Sequence, residues 1–193
     1  MAKPSHREKI LTEGLRVVHE RGFAGASVRD IVQAAGVPQG SFTNHFASKE
    51  AFGLEVIDLY YARGRARAGD TLFNQALPPL ERLRTWLDRT TEAGAETGMR
   101  GGCLFGNFSA EASEHSELIR NRLVEIFAEL VRAIADCLRA AVNAGELKAS
   151  VDCDEVAGFI VASLQGSILL AKTQRSTVPL ERFRHVLFSM ILA

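Results

Sequence analysis

The sequence predicts an all-α fold, and three observations carry that expectation. Apolar residues recur at intervals of three and four along most of the chain. No stretch alternates with the period of a strand, and glycine, proline or capping residues break the periodic runs at helix-like lengths. The expected architecture is a small three-helix head at residues 1–50 and a larger helical body at 51–193, with about nine helices in all.

The elements follow in chain order. Ser5-His-Arg-Glu8 fits a capping box, in which hydroxyl and carboxylate satisfy the orphan amides of a helix start. Ile10, Leu11, Leu15 and Val18 continue as a one-sided apolar stripe, and Gly22 suits a helix end. Ser27-Val-Arg-Asp30 repeats the capping logic with Val28, Ile31 and Ala35 facing inward, and Gly36 closes that helix. Pro38 suits the first position of the next, because its missing N–H is an orphan there anyway. Ser48 caps a longer helix through Phe52, Val56 and Leu59. GDTLFNQALPP (69–79) connects to an amphipathic helix bearing Leu80, Leu83, Leu87 and Thr90. A short helix over 103–113, a long one over 117–144, an apolar one over 154–171 and a last one opening at Pro179 complete the chain.

Composition bounds the function. The chain has 193 residues, 47% apolar and 24% charged, which is long enough for a sizeable core and ordinary for a globular protein. Formal net charge is zero, yet residues 1–67 hold ten Lys/Arg against seven Asp/Glu and residues 68–193 hold thirteen against sixteen. The mild positive head permits a polyanionic partner. Cys103, Cys137 and Cys153 form neither a CxxC pair nor a disulfide framework, and the five histidines lack metal spacing. Neither a metal nor another cofactor is expected. The N-terminal stretch MAKPSHREKILTEG has no signal-peptide core, and VAGFIVASLQGSILLA (156–171), interrupted by polar residues, falls short of a membrane span. A cytoplasmic protein without a membrane partner is expected.

GVPQGSFTNHF (36–46) sets the functional question, because it packs Gln39, Ser41, Thr43, Asn44 and His45 between two phenylalanines. With the preceding helix and the Gly36 turn it makes a helix-turn-helix pattern. Short polar side chains on such a helix let its backbone enter a DNA groove.

Residues 7–55 resemble the DNA-binding head of the TetR/AcrR-type transcriptional regulators. The resemblance lies in G-F after the first helix, S-V-R-D-I, A-G-V-P-x-G-S-F and H-F-x-S-K-E, in that order. In the body, GCLFGNFSAEASEHSELIR (102–120) is similar to some members. The resemblance implies a homodimer whose heads reach successive major grooves of a palindromic double-stranded operator, and a body whose cavity takes a small-molecule inducer. The family usually has tyrosine at the position of Thr43 and commonly histidine at that of Asn44, so a phenolic phosphate contact is replaced by shorter side chains.

The expected DNA contacts are Ser27, Arg29, Gln39, Gly40, Ser41, Thr43, Asn44, His45 and Lys49. Gln39 and Asn44 are types that pair bidentately with adenine, and Thr43 can meet a thymine methyl. Ser27 and Lys49, at helix starts, are expected to hold phosphates. The implied inducer site draws on Trp86, Thr90, Cys103, Phe105, Asn107, Phe108, Phe127 and Gln165, a mostly apolar set with a few polar anchors; residue by residue, packing in a core is the plainer role. Cys103, after Gly101-Gly102 at a helix start and near Arg100, reads either as an electrophile sensor or as a packing residue. Cys137 reads as core, and Cys153, between Asp152 and Asp154, as a poor sensor. The dimer interface is expected on the last two helices at Phe159, Leu164, Phe183, Leu187 and Met190, because 154–171 is apolar around more of its circumference than one partner covers.

GGCLFG lacks the G-K-[ST] ending of a phosphate loop, and no base and nucleophile pair stands out, so no catalytic residue is assigned. The reading is a DNA-binding repressor released by an inducer or electrophile. Its rival is a helical enzyme or small-molecule carrier with a non-functional helix-turn-helix, and DNA binding separates the two.

Overall fold

Capping chemistry sets the first helices where the sequence places them. In the computed structural model, which describes residues 5–193, α1 (His6–Arg21) starts with a complete Ser5–Glu8 capping box and ends on Gly22 at φ +80°. Residues 1–4, the start of the N-terminal stretch without a signal-peptide core, lie outside the described residues. The second helix, α2 (Val28–Ala34), starts with the Ser27–Asp30 box, and the chain turns at Gly36, whose φ is +62°.

The expected recognition helix is shorter than a helix. Gln39–Ser41 forms one 3₁₀ turn and the chain continues in turns to His45. Gly40 and Asn44 are poor helix formers, and Thr43 Oγ1 donates to the Gly40 carbonyl at 3.1 Å, competing with the helical ladder. Packing holds the segment instead. Phe42 and Phe46 are each 3% exposed, and their rings lie 5.3 and 5.1 Å from that of Phe52.

The remaining helices are α3 (Lys49–Ala68), α4 (Pro79–Glu96), α5 (Leu104–Ala112), α6 (Glu117–Asn143), α7 (Cys153–Gln174) and α8 (Val178–Val186), the last running into a π turn at Leu187–Ile191. The described residues thus hold eight α-helices and no strand. Ser48 caps α3 through a 3.0 Å bond from the Ala51 amide. Asp152 caps α7, which starts one residue before the expected 154, and accepts from the Asp154 and Glu155 amides.

Two compact units result. The chain up to Arg63 packs with Leu104–Val124, and Gly64–Cys103 packs with Glu125–Ala193. In the first, Ile10, Ile31, Phe52 and Ile57 are fully buried, and Gly14 lets α1 and α3 approach: a Cβ there would lie 2.4 Å from the Phe52 ring. In the second, Leu83, Ile134, Leu138, Ile160 and Leu187 build an aliphatic core.

Candidate DNA-binding surface

The buried phenylalanines fix which side chains of the 38–46 segment face water. Gln39, Gly40, Thr43, Asn44 and His45 are exposed, as are Ser27 and Arg29. Ser41 departs from expectation: at 8% exposure it lies on the buried side with Phe42 and is not presented to an outside partner.

Ser27 has a structural task. Its hydroxyl accepts from the Asp30 amide at 3.1 Å and donates to the Asp30 carboxylate, which also accepts from the Ser27 amide. These bonds, with the Arg21 guanidinium beside them, hold the Asp30 carboxyl below its ordinary range. A phosphate at this helix start would meet the Asp30 charge, so a Ser27 phosphate contact would have to displace part of the cap.

Lys49, at the start of α3, is half-buried. Its ammonium sits 4.8 Å from the centre of the Phe23 ring and 3.5 Å from the Ala24 carbonyl. Burial pushes its pKa down, and the negative charge of Glu111 pushes it back up. This anchoring to the α1–α2 turn was not legible in the local sequence.

The residues expected around an inducer fall in different surroundings. Phe108 is 1% exposed and packs on Phe23 at 4.8 Å, while Phe105 lies edge-on to Tyr60 at 5.0 Å. Both belong to the aromatic packing of the first unit, on α5 with half-buried Asn107. In the second unit, Trp86, Thr90, Phe127 and Gln165 are part-buried on α4, α6 and α7, and the Thr90 hydroxyl donates to the Trp86 carbonyl at 2.9 Å. Cys103 is part-buried in the loop before α5. Burial pushes the Cys137 thiol up to about 11, and its Sγ lies 3.1 Å from the Pro79 carbonyl. The Cys153 thiol is also raised, by burial first and by Asp154 and Asp152 after it.

The interface candidates split. Leu164 and Leu187 are 3% and 0% exposed and belong to the core of the second unit, although Leu187 also forms part of the floor of a groove beside α7. Phe159 and Met190 are 49% and 74% exposed. Phe159 and part-buried Phe183 line this open groove of about 240 Å³ between α7 and α8, with Leu170, Val186, Leu187 and Ile191. Phe159 and Leu170 lie on the outer face of α7, whose Ala157, Ile160, Val161 and Leu164 face the core. The helix α7 is 22 residues long and its most apolar 18-residue window has a mean hydropathy of 1.5, more apolar than the run at 156–171 promised but not a convincing membrane span. Its two-sided use, core on one face and groove on the other, accounts for that apolarity within a folded chain.

Residues 10–56 match the bacterial regulatory proteins of the tetR family, and residues 79–187 match the tetracyclin repressor-like C-terminal domain. The HTH-type transcriptional repressor DhaR of Mycobacterium sp. (strain GP1) is 38% identical over 192 residues, covering 100% of this chain and 95% of its own. The HTH-type transcriptional repressor NemR of Escherichia coli K12 is 30% identical over 91% of this chain and 88% of its own. The crystal structure of a regulatory protein TetR from Rhodobacter sphaeroides superposes with a TM-score of 0.89 at 31% identity, over 94% of this chain and 96% of that one. These relatives are transcriptional regulators rather than enzymes, which disfavours the rival reading of the helix-turn-helix as an inert scaffold. The chain belongs to the TetR family of bacterial regulatory proteins and is a DNA-binding transcriptional repressor, not an enzyme.

Proposed function

We propose that this repressor binds a palindromic operator as a homodimer in the cytoplasm and releases it when a small molecule occupies the body. The observation that carries the DNA half is the 38–46 segment. Buried Phe42 and Phe46 present Gln39, Thr43, Asn44 and His45 outward together, as major-groove reading requires. Arg29 and Lys49 are the cations nearest in sequence to supply phosphate contacts.

The dimer half is supported by the α7–α8 groove. Phe159 and Leu170 expose large apolar surface in it, Met190 exposes more after α8, and an isologous contact between two copies would cover such surface. We assign inducer binding to Trp86, Thr90, Phe127 and Gln165, whose partial burial is compatible with it, with Cys103 as a candidate electrophile target. For release, the ligand must bind the DNA-incompetent arrangement better than the competent one. The unbroken α3, 20 residues and thus about 30 Å long, is the element through which occupancy would reach the heads.

The test is a gel-shift with the duplex upstream of the protein's own gene, comparing wild type with Asn44→Ala. A base-reading Asn44 costs about 1–3 kcal/mol on the operator when truncated and little on random DNA. Equal losses on both duplexes would remove Asn44 from the reading set.

A further inference from the structure

The α1–α2 turn, Gly22-Phe-Ala-Gly-Ala26, is held from an element remote in sequence. Glu111, on α5, accepts a 2.9 Å hydrogen bond from the Ala24 amide through Oε2. Its other carboxylate oxygen lies so close to Gly22 that a Cβ there would come within 2.6 Å of it. Residue 22 is therefore glycine for two reasons, its φ of +80° and the space the carboxylate occupies. The Phe23 ring beside it packs on Phe108, and a Cβ on Gly53 would lie 2.8 Å from that ring. Lys49 rests its ammonium on the same ring and beside the Ala24 carbonyl. One residue further on, Glu50 accepts a hydrogen bond from the Ser116 hydroxyl, at the start of α6.

We infer that Glu111 is a positioning residue for DNA binding: its carboxylate pins the α1–α2 turn and, through Phe23 and the Ala24 carbonyl, sets where the Lys49 ammonium stands. The role rests on the proposed reading of Lys49 as a phosphate contact. A carboxylate accepting from a backbone amide is a charge-assisted bond, stronger than a neutral one. It ties the turn to α5, which the family comparison assigns to the C-terminal domain although α5 packs within the first compact unit. Ser116 on Glu50 gives the start of α3 a second tether from the same 104–124 segment.

The experiment compares Glu111→Ala and Glu111→Gln by amide hydrogen exchange at Ala24 and by titration with the duplex upstream of the protein's own gene. In Glu111→Ala, the Ala24 amide should exchange at least about tenfold faster, while the amides in the middle of α1 keep their protection. Duplex binding should weaken about tenfold, the loss expected for one charge-assisted bond. Glu111→Gln keeps a carbonyl acceptor and should restore most of both. Unchanged Ala24 exchange in Glu111→Ala would overturn the clamp. Faster exchange with wild-type affinity, or a gain in affinity, would overturn its role in DNA binding. The Lys49 reading fails by a different sign, a Lys49→Ala protein with wild-type affinity and salt dependence.

Discussion

The first compact unit and the second solve the same problem, a helical core, with different materials. Around α1–α3 the interior sets a cluster of rings among aliphatic side chains: Phe42, Phe46 and Phe52 interlock beside Ile10, Ile31 and Ile57, and the surface above the rings is polar. Around α4, α7 and α8 the interior is aliphatic, and the apolar character continues onto the surface at Phe159, Leu169, Leu170, Val178 and Met190. The first arrangement suits a surface that reads a polar polymer, because a few buried rings orient many small hydrogen-bonding side chains. The second suits a surface that meets another protein, because apolar area left in water is a cost that association removes. Which face of each unit does this is a matter of register, and single substitutions separate the faces.

The largest contrast is between two residues three positions apart. Leu187 is fully buried and Met190 is mostly exposed, although both lie in the same π turn. Leu187→Glu places an unpaired charge in the aliphatic core and should cost about 3–5 kcal/mol. At roughly 2–4 °C per kcal/mol for a chain of this size, its melting temperature should fall by about 6–20 °C. Met190→Glu combined with Phe159→Glu leaves that core intact and should give a folded monomer by light scattering. A folded, dimeric Leu187→Glu protein would show that the core has been misplaced. A dimeric Met190→Glu/Phe159→Glu protein would free the groove of the role proposed for it.

Legibility in the sequence followed the same division. In the first unit the caps, glycines and phenylalanines act over three or four residues, so Ser5–Glu8, Ser27–Asp30 and Ser48 could be read from their spacing alone. The 38–46 segment was found for its chemistry, but its 3₁₀ geometry and the burial of Ser41 depend on Phe42 and Phe46 meeting Phe52, which local propensity does not contain. In the second unit, apolar stripes located the helices, but a stripe does not say whether its partner is the same chain or another copy. Leu187 and Met190 carry the same periodic signal, yet the first is buried in the chain's own core and the second is mostly exposed. Glu111 was invisible for a third reason: its partner Ala24 is 87 positions away, and nothing near either residue marks the pair.

A smaller effect sharpens the polar side of the comparison. Lys49→Ala removes a single cation, so DNA binding should weaken on every sequence and the slope of log affinity against log salt should flatten by about one unit. Because Lys49 also covers the Phe23 ring, Lys49→Met is the matched control that keeps an unbranched apolar side chain over the ring without charge. Both variants should flatten the slope equally. A slope that stays at the wild-type value in both would mean that the ammonium serves the turn and not the phosphate backbone.

The smallest effect tests how dry the aliphatic interior is. Cys137 is 4% exposed, and burial raises its thiol from 9.0 to about 11. A raised folded pKa means that the folded chain keeps the proton when the unfolded chain has lost it. The associated stability is fully present below pH 9 and is lost as pH rises toward about 11, at up to about 1.4 kcal/mol per pH unit. Cys137→Ala removes this linkage, so its denaturant midpoint should fall less steeply than wild type between pH 9 and 11, whatever its starting value. Alkylation followed by mass mapping gives an independent reading. At pH 8 only about one in a thousand Cys137 thiols is ionised. Cys137 should therefore stay unlabelled until the chain unfolds, while part-buried Cys103 reacts in the native protein. Labelling of Cys137 at the same rate as Cys103 would mean that water reaches the α4–α6 packing, and the dry interior drawn for the second unit would have to be given up.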